Sequence, residues 1–269
     1  MKKKQVLKSP LISFVVFTYV IFFVFFMVIG ISILLGVPES VTKILQIIAA
    51  WSSTFAFIIL FKKIYPGLRL KDFIKQQFAP RLRFSVLSTL VIIQVVIIAV
   101  TILLLSITTD TQELALSFTG LGTMLFAFSD NLVRGPLGEE LGWRGYALNE
   151  LQKKYSPLKS ALLVGVLWGG WHTPLWLASG YTGMNLIKYI VLFMIGILSF
   201  SIIVTLFYNL NKNLVIPIVI HQLFNFSLII VKGDLLDILV YVMLSYFVVA
   251  MILIVINPKE ILYNKITEK

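Results

Sequence analysis

The sequence predicts an all-α membrane protein, a polytopic bundle of about eight transmembrane helices that forms a single domain over residues 1–269. Composition is the first observation that predicts it. Of the 269 residues, 59% are hydrophobic and 13% are charged, and the mean hydropathy is +0.96, whereas a soluble domain has roughly 25% charged residues. The second observation is the recurrence of apolar runs near the roughly 20 residues that one crossing requires.

Apolar runs separated by short polar connections are the candidate crossings. The first run follows a lysine-rich segment and is too long for the core of a cleaved signal peptide, so we expect a retained anchor. The candidate runs are 11–35, 44–61, 84–107, 117–140, 160–177, 186–208, 214–231 and 235–256.

The basic residues lie mainly in alternate connections. The connection after the second run is rich in lysine and arginine, whereas the one after the third run has neither and contains Asp110 and Glu113. This asymmetry predicts that both termini are cytoplasmic. The net charge of +11 comes from basic residues in these short connections, so the sequence shows no basic face for nucleic acid. For residues 64–78, which alternate basic and apolar side chains, we favour a plain connecting loop over an amphipathic surface helix.

A pair of adjacent glutamates lies at the end of the fourth run. Ionisable groups at membrane depth are costly, which makes them candidate functional residues. If the segment is helical, Glu140 and Arg144 are at i and i+4 and can form an ion pair, while Glu139 projects about 100° away. We expect Glu140 with Arg144 to stabilise the helix and Glu139 to be free for chemistry. The two adjacent glutamates, taken by themselves, agree equally well with another interpretation: a helix start whose charges are solvated, with the membrane boundary near Arg134.

The chain has two histidines, and both lie in apolar runs. His172 precedes Thr173-Pro174, and proline in a membrane helix is usually tolerated where polar partners or a cavity are available. His221 and Asn225 are at i and i+4 on one helical face. A carboxylate, a histidine and a His/Asn donor pair are the groups that water-mediated acyl hydrolysis needs, because water must be activated and the oxyanion needs hydrogen-bond donors.

Taken together, these three motifs resemble the CPBP or Abi family of intramembrane proteases, which includes CAAX-processing endopeptidases and bacteriocin-immunity proteins. The motifs are Glu-Glu-x-x-x-Arg, aromatic-x-x-x-His and His-x-x-x-Asn, and they fall in residues 117–226, which we take as the core. The resemblance implies catalytic roles for Glu139, His172, His221 and Asn225. It implies supporting roles for Glu140, Arg144 and Trp168, the last standing where the family often has phenylalanine.

The predicted function is therefore hydrolysis of a peptide bond in a membrane-associated protein or peptide. Glu139 with His172 would activate water, and His221 with Asn225 would hold the oxyanion. We expect no cofactor. The alternative is a zinc ion held by Glu139, His172 and His221, since three protein ligands suffice for catalytic zinc; Asn225, a poor zinc ligand and a good donor, favours the metal-free mechanism.

Two other functions also agree with the sequence. A non-catalytic scaffold or bacteriocin self-immunity protein is the main alternative function. A transporter with Glu139 as proton carrier is a weaker one, because the sequence shows no paired halves.

We expect an integral protein of a bacterial cell membrane, in contact with lipid and with its protein or peptide substrate. The chain has no cysteine, so disulfides, thiolate nucleophiles and cysteine-ligated metals are excluded.

Overall fold

The computed structural model describes residues 9–108, 120–230, 233–257 and 260–264, and in these ranges the chain is helical with no β-strand. The predicted all-α class is confirmed. The helices, in chain order, are α1 Pro10–Leu34, α2 Glu39–Ala50, α3 Ser52–Ile64, α4 Leu70–Phe78, α5 Phe84–Thr108, α6 Leu121–Arg134, α7 Pro136–Glu140, the π-helix π1 Leu141–Leu148, α8 Asn149–Gln152, α9 Pro157–Trp171, α10 Thr173–Leu177, α11 Gly183–Asn211, α12 Val215–Ile229 and α13 Leu235–Ile256.

Four of these helices, α1, α5, α11 and α13, are long and apolar enough to cross a membrane. Helices α2 and α3 meet at a bend of 50° and add a fifth crossing if they are one span. The chain is therefore an integral membrane protein, but the predicted count of about eight spans is not confirmed. Within the described ranges the fourth and fifth predicted runs are divided by breaks at Gly135 and at His172, and the seventh forms the 15-residue helix α12.

Several predicted features lie outside the described residues. They are the lysines before residue 9, the outer connection with Asp110 and Glu113, the start of the fourth run at Ser117, and the end of the seventh run at Val231.

Helix α11 is largely buried in the bundle, and glycines at its contacts let the neighbouring helices approach closely. A Cβ on Gly169 of α9 would lie 2.6 Å from Sδ of Met194, and one on Gly196 of α11 would lie 2.0 Å from Sδ of Met243. Small residues at such contacts allow close van der Waals packing in membranes. Consequently α11 is flanked by α9 and α13 along a largely buried face.

Residues 64–78 form more structure than the sequence predicted. Instead of a plain loop, the segment contains α4, whose Phe73 is 7% exposed and packs on Phe57 and Phe61. The C-terminal end of α4 is fixed to the α11–α12 connection, where the backbone N–H of Leu214 donates to the carbonyl of Gln77 at 2.8 Å. An apolar anchor and a backbone hydrogen bond therefore hold this helix on the bundle.

The two helix breaks position the candidate functional residues. At Gly135 the chain leaves α6 and restarts as α7, which carries Glu139 and Glu140 and continues into π1. At His172 it leaves α9 and restarts as α10 through Thr173-Pro174. Irregular backbone at membrane depth is tolerated where it is buried in protein or lines a cavity. Both breaks meet this condition, because Gly135 and His172 line the same cavity.

Candidate functional site

A cavity of about 740 Å³ lies between α1, α6, α9, α11 and α12. Its apolar walls come largely from the second half of α1, from α10 and from the second half of α12. Its polar part is lined by Gln46, Asp130, Asn131, Arg134, Gly135, Glu139, Trp168, His172, His221 and Asn225. The structure thus brings the four residues predicted as catalytic to a single cavity.

The two adjacent glutamates face different surroundings. Glu139 is 5% exposed and lines the cavity, whereas Glu140 is fully buried behind the cavity wall. Oε1 of Glu140 accepts a hydrogen bond from Nη1 of Arg144 at 2.8 Å, so the predicted i,i+4 ion pair forms. The division of the two carboxylates in the structure is the one that helical geometry predicts.

Glu140 also contacts His221, which the sequence did not predict. Nδ1 of His221 lies 2.6 Å from the same Oε1 of Glu140, and the His221 ring is 2% exposed. Because Oε1 accepts, Nδ1 of His221 carries the hydrogen. The carboxylate therefore fixes the orientation of the imidazole and leaves its Nε2 on the cavity side. The contact crosses from α7 to α12, and no local sequence pattern contains it.

Arg144 is the buried cation of this group, and its side chain is 1% exposed. Its guanidinium carbon lies 4.4 Å from the ring centroid of Trp168 and 5.2 Å from that of Phe200. Cation–π contact with aromatic faces is favourable, more so when the cation is desolvated. Arg144 is therefore stabilised by the Glu140 carboxylate and by two aromatic rings, and it does not line the cavity.

His172 is oriented by the backbone of its own helix. Its Nδ1 lies 2.7 Å from the carbonyl oxygen of Trp168, which can only accept, so Nδ1 donates. The ring packs against Trp171 and Phe193, with centroid distances of 4.7 and 5.0 Å. In the neutral ring the lone pair is then on Nε2, the nitrogen available to the cavity.

Asn225 and His221 converge on the helix break at Gly135. The position that a Cβ on Gly135 would occupy lies 2.9 Å from Nδ2 of Asn225 and 3.8 Å from Nε2 of His221. Nδ2 of Asn225 also donates to Oδ1 of Asn131 at 3.2 Å, which fixes the orientation of the amide. The absence of a side chain at residue 135 keeps the space between the two nitrogens open.

Several cavity residues were missed as site residues by the sequence reasoning. Asn131 and Asp130 of α6 were not assigned to the site, yet both line the cavity, as does Gln46 of α2. Arg134 donates to Gln46 at 3.1 Å and is paired with Asp130. The spacing of Asp130 and Arg134 at i and i+4 was a usable signal, whereas nothing local to Gln46 indicated the site.

The zinc alternative needs three ligands around one point. Among the residues that the structure describes, no group of three histidine, aspartate or glutamate side chains is placed to hold a metal ion. The set of Glu139, His172 and His221 in this geometry does not fit a three-ligand zinc site.

Comparison with known proteins supports the resemblance. A family model described as type II CAAX prenyl endopeptidase, Rce1-like, matches residues 121–227. A curated protein of Methanococcus maripaludis, CAAX prenyl protease 2, is 39% identical over 94 residues, which cover 33% of this chain and 35% of that protein. The chain thus aligns with about a third of the length of this relative. The predicted resemblance to the CPBP or CAAX protease family is confirmed by these matches.

Proposed function

We propose that this chain, through a segment similar to CAAX prenyl endopeptidases, hydrolyses a peptide bond of a membrane-associated protein or peptide. The observation that carries the proposal is the convergence of Glu139, His172, His221 and Asn225 on one cavity of about 740 Å³. Glu139 and His172 lie close to the two helix breaks, and His221 and Asn225 lie on α12. The proposed setting is a bacterial cell membrane, with both termini in the cytoplasm.

Glu139 and His172 are the groups that activate water in this proposal. A water molecule between them donates one hydrogen to the Glu139 carboxylate and the other to Nε2 of His172. Its oxygen then attacks the carbonyl carbon of the scissile bond while Glu139 takes the proton. When the C–N bond breaks, that proton passes to the leaving amine. The products are a carboxylic acid and an amine, so no other reactant is required.

His221 and Asn225 are the oxyanion donors. The oxygen of the tetrahedral intermediate occupies the space in front of Gly135, where Nδ2 of Asn225 and Nε2 of His221 can both donate. Because Nδ1 of His221 already donates to Glu140, donation from Nε2 requires the doubly protonated ring. Glu140 then carries a negative charge between two cations, His221 and Arg144. Donors fixed before the reaction stabilise developing charge without reorganisation.

Comparative membrane proteomics tests the proposal. Cells with wild-type protein should contain truncated peptides that are absent from cells with Glu139→Gln, which keeps the shape of the side chain and removes the base. Glu39→Gln is the matched control, because Glu39 is an exposed glutamate paired with Lys43 outside the cavity. If Glu139→Gln and wild type yield the same peptides, the endopeptidase proposal is wrong and a non-catalytic binding protein becomes the better explanation.

A further inference from the structure

Trp168 contacts four of the charged or imidazole groups at the site, those of Glu139, His172, His221 and Arg144. Its indole Nε1 donates a hydrogen bond to Oε2 of Glu139 at 2.6 Å, and its carbonyl oxygen accepts from Nδ1 of His172 at 2.7 Å. Its ring lies under the Arg144 guanidinium at 4.4 Å and against the His221 ring at 5.1 Å. The side chain is 1% exposed. A residue that only filled space would not need an indole N–H aimed at a carboxylate.

We propose that Trp168 is a positioning residue that holds the Glu139 carboxylate through its indole N–H, so that Oε2 is occupied and Oε1 is presented to the water. This inference rests on the proposed function. Within the described residues no group donates to Oε1 of Glu139, and Glu139 lines the cavity. Oε1 is therefore the oxygen left for the nucleophile.

The N–H group matters more than the aromatic surface for this role. A carboxylate on a free Cγ–Cδ bond samples a broad range of rotation, because terminal sp³–sp² torsions have no sharp minima. A hydrogen bond to an ionised acceptor is short and about twice as strong as a neutral one. The bond from Trp168 therefore selects one carboxylate orientation. A phenyl ring could replace the contact with Arg144 and the histidines but could not make this selection.

Two variants separate the N–H from the ring. Trp168→Phe keeps an aromatic face and removes the donor. Replacing the indole of Trp168 by benzothiophene, in which sulphur substitutes for N–H, keeps the bicyclic shape as well. The matched control is Trp143→Phe, because Trp143 is also fully buried but its Nε1 has no hydrogen-bond partner in the described structure and it does not line the cavity.

Steady-state kinetics on purified protein in nanodiscs, with a substrate peptide identified by the proteomics, gives the first readout. Both Trp168 variants should lower kcat by about 10- to 100-fold, because displacement of a reacting group by about 1 Å can cost that much. KM should change by less than about twofold, and Trp143→Phe should leave both constants unchanged. Wild-type kcat in the benzothiophene variant would overturn the proposal, and so would an effect confined to KM.

A spectroscopic readout keeps this inference distinct from the proposed function. Ultraviolet resonance Raman spectra report hydrogen bonding of indole N–H groups, and the difference between wild type and Trp168→Phe isolates the band of Trp168. That band should report a strong hydrogen bond in wild type and a weak one in Glu139→Ala. An unchanged band would overturn the Trp168 proposal even if the protein is active. An inactive wild type with the expected band would overturn the endopeptidase proposal, and with it the catalytic consequence of the bond.

Discussion

Nδ1 of His221 lies 2.6 Å from Oε1 of Glu140, the same oxygen that accepts a hydrogen bond from Nη1 of Arg144 at 2.8 Å. One carboxylate oxygen thus joins a candidate oxyanion donor on α12 to a buried cation on π1. The second glutamate of the pair therefore has two functions in the structure. It balances the charge of Arg144, and it orients the imidazole of His221.

Removing Glu140 should destabilise the protein. In Glu140→Ala the Arg144 guanidinium is left without its carboxylate, and breaking a buried ion pair typically costs about 3–5 kcal/mol. We expect lower abundance in membranes and a lower melting temperature in detergent. Glu39→Ala removes a pair in which the glutamate and lysine side chains are 79% and 52% exposed, so it should have almost no effect. A well-folded but inactive Glu140→Gln together with a fully active Glu139→Gln would reverse the roles assigned to the two glutamates.

Removing the amide of Asn225 should affect turnover more than binding. Asn225→Ala deletes one of two proposed oxyanion donors, and the loss of such a donor typically lowers the rate by about 10²–10³. We expect kcat to fall by that factor with little change in KM. Asn209→Ala is a control, since Asn209 donates to Gln152 away from the cavity. A change confined to KM would place Asn225 in substrate binding instead.

A methyl group at residue 135 should close the oxyanion space. In Gly135→Ala the new Cβ would lie 2.9 Å from Nδ2 of Asn225 and 3.3 Å from the carbonyl oxygen of Asn131, so the amide must move. Activity should fall by about 10²-fold, the cost of a displacement near 1 Å. Gly122→Ala on α6 is the control, because its Cβ would meet nothing within 4 Å. Full activity in Gly135→Ala, at normal abundance, would contradict this account of the site.

Metal analysis decides between the two hydrolytic mechanisms. If Glu139 and His172 activate water without metal, purified wild-type protein should contain no stoichiometric zinc, and prolonged chelation should leave its activity intact. A zinc enzyme should instead contain about one metal per chain and lose it in both His172→Ala and His221→Ala. That second result, with activity restored by added zinc, would refute the metal-free mechanism.

The charge asymmetry predicts the orientation of the chain in the membrane. Reporter fusions after Arg83 and after Lys269 should report the cytoplasm, and a fusion after Asp110 should report the outside. Alkaline phosphatase and a fluorescent protein are suitable paired reporters, because each is active on only one side. A cytoplasmic signal at Asp110 would invalidate the predicted arrangement of spans.

The sequence contained the chemistry of the site but not its supporting contacts. Glu139, His172 and His221 could be recognised because ionisable side chains in apolar runs are rare and costly. The Glu140–Arg144 pair followed from helical spacing alone. The contact between Glu140 and His221 could not be predicted, because it depends on how α7 packs against α12, and that packing is set by tertiary contacts.

The helix breaks are part of the reason that the predicted count of about eight spans is not confirmed. Hydropathy counts apolar residues and does not register a change of backbone direction, so the runs ending at residue 140 and at residue 177 were each interpreted as one crossing. The structure divides them at Gly135 and His172. The π-helical winding of Leu141–Leu148 was likewise invisible, because its residues have the same composition as an α-helix.

The position of the cavity along α1 bears on how a substrate reaches it. The lining residues of α1 run from Phe22 to Ile33, near the C-terminal end of that helix, and the lining includes no residue of the basic connection at 65–83. If both termini are cytoplasmic, as the charge asymmetry predicts, the cavity lies in the outer half of the bilayer. A substrate would then arrive from the external leaflet, after its own export, and the cytoplasmic pool would have no direct access to Glu139.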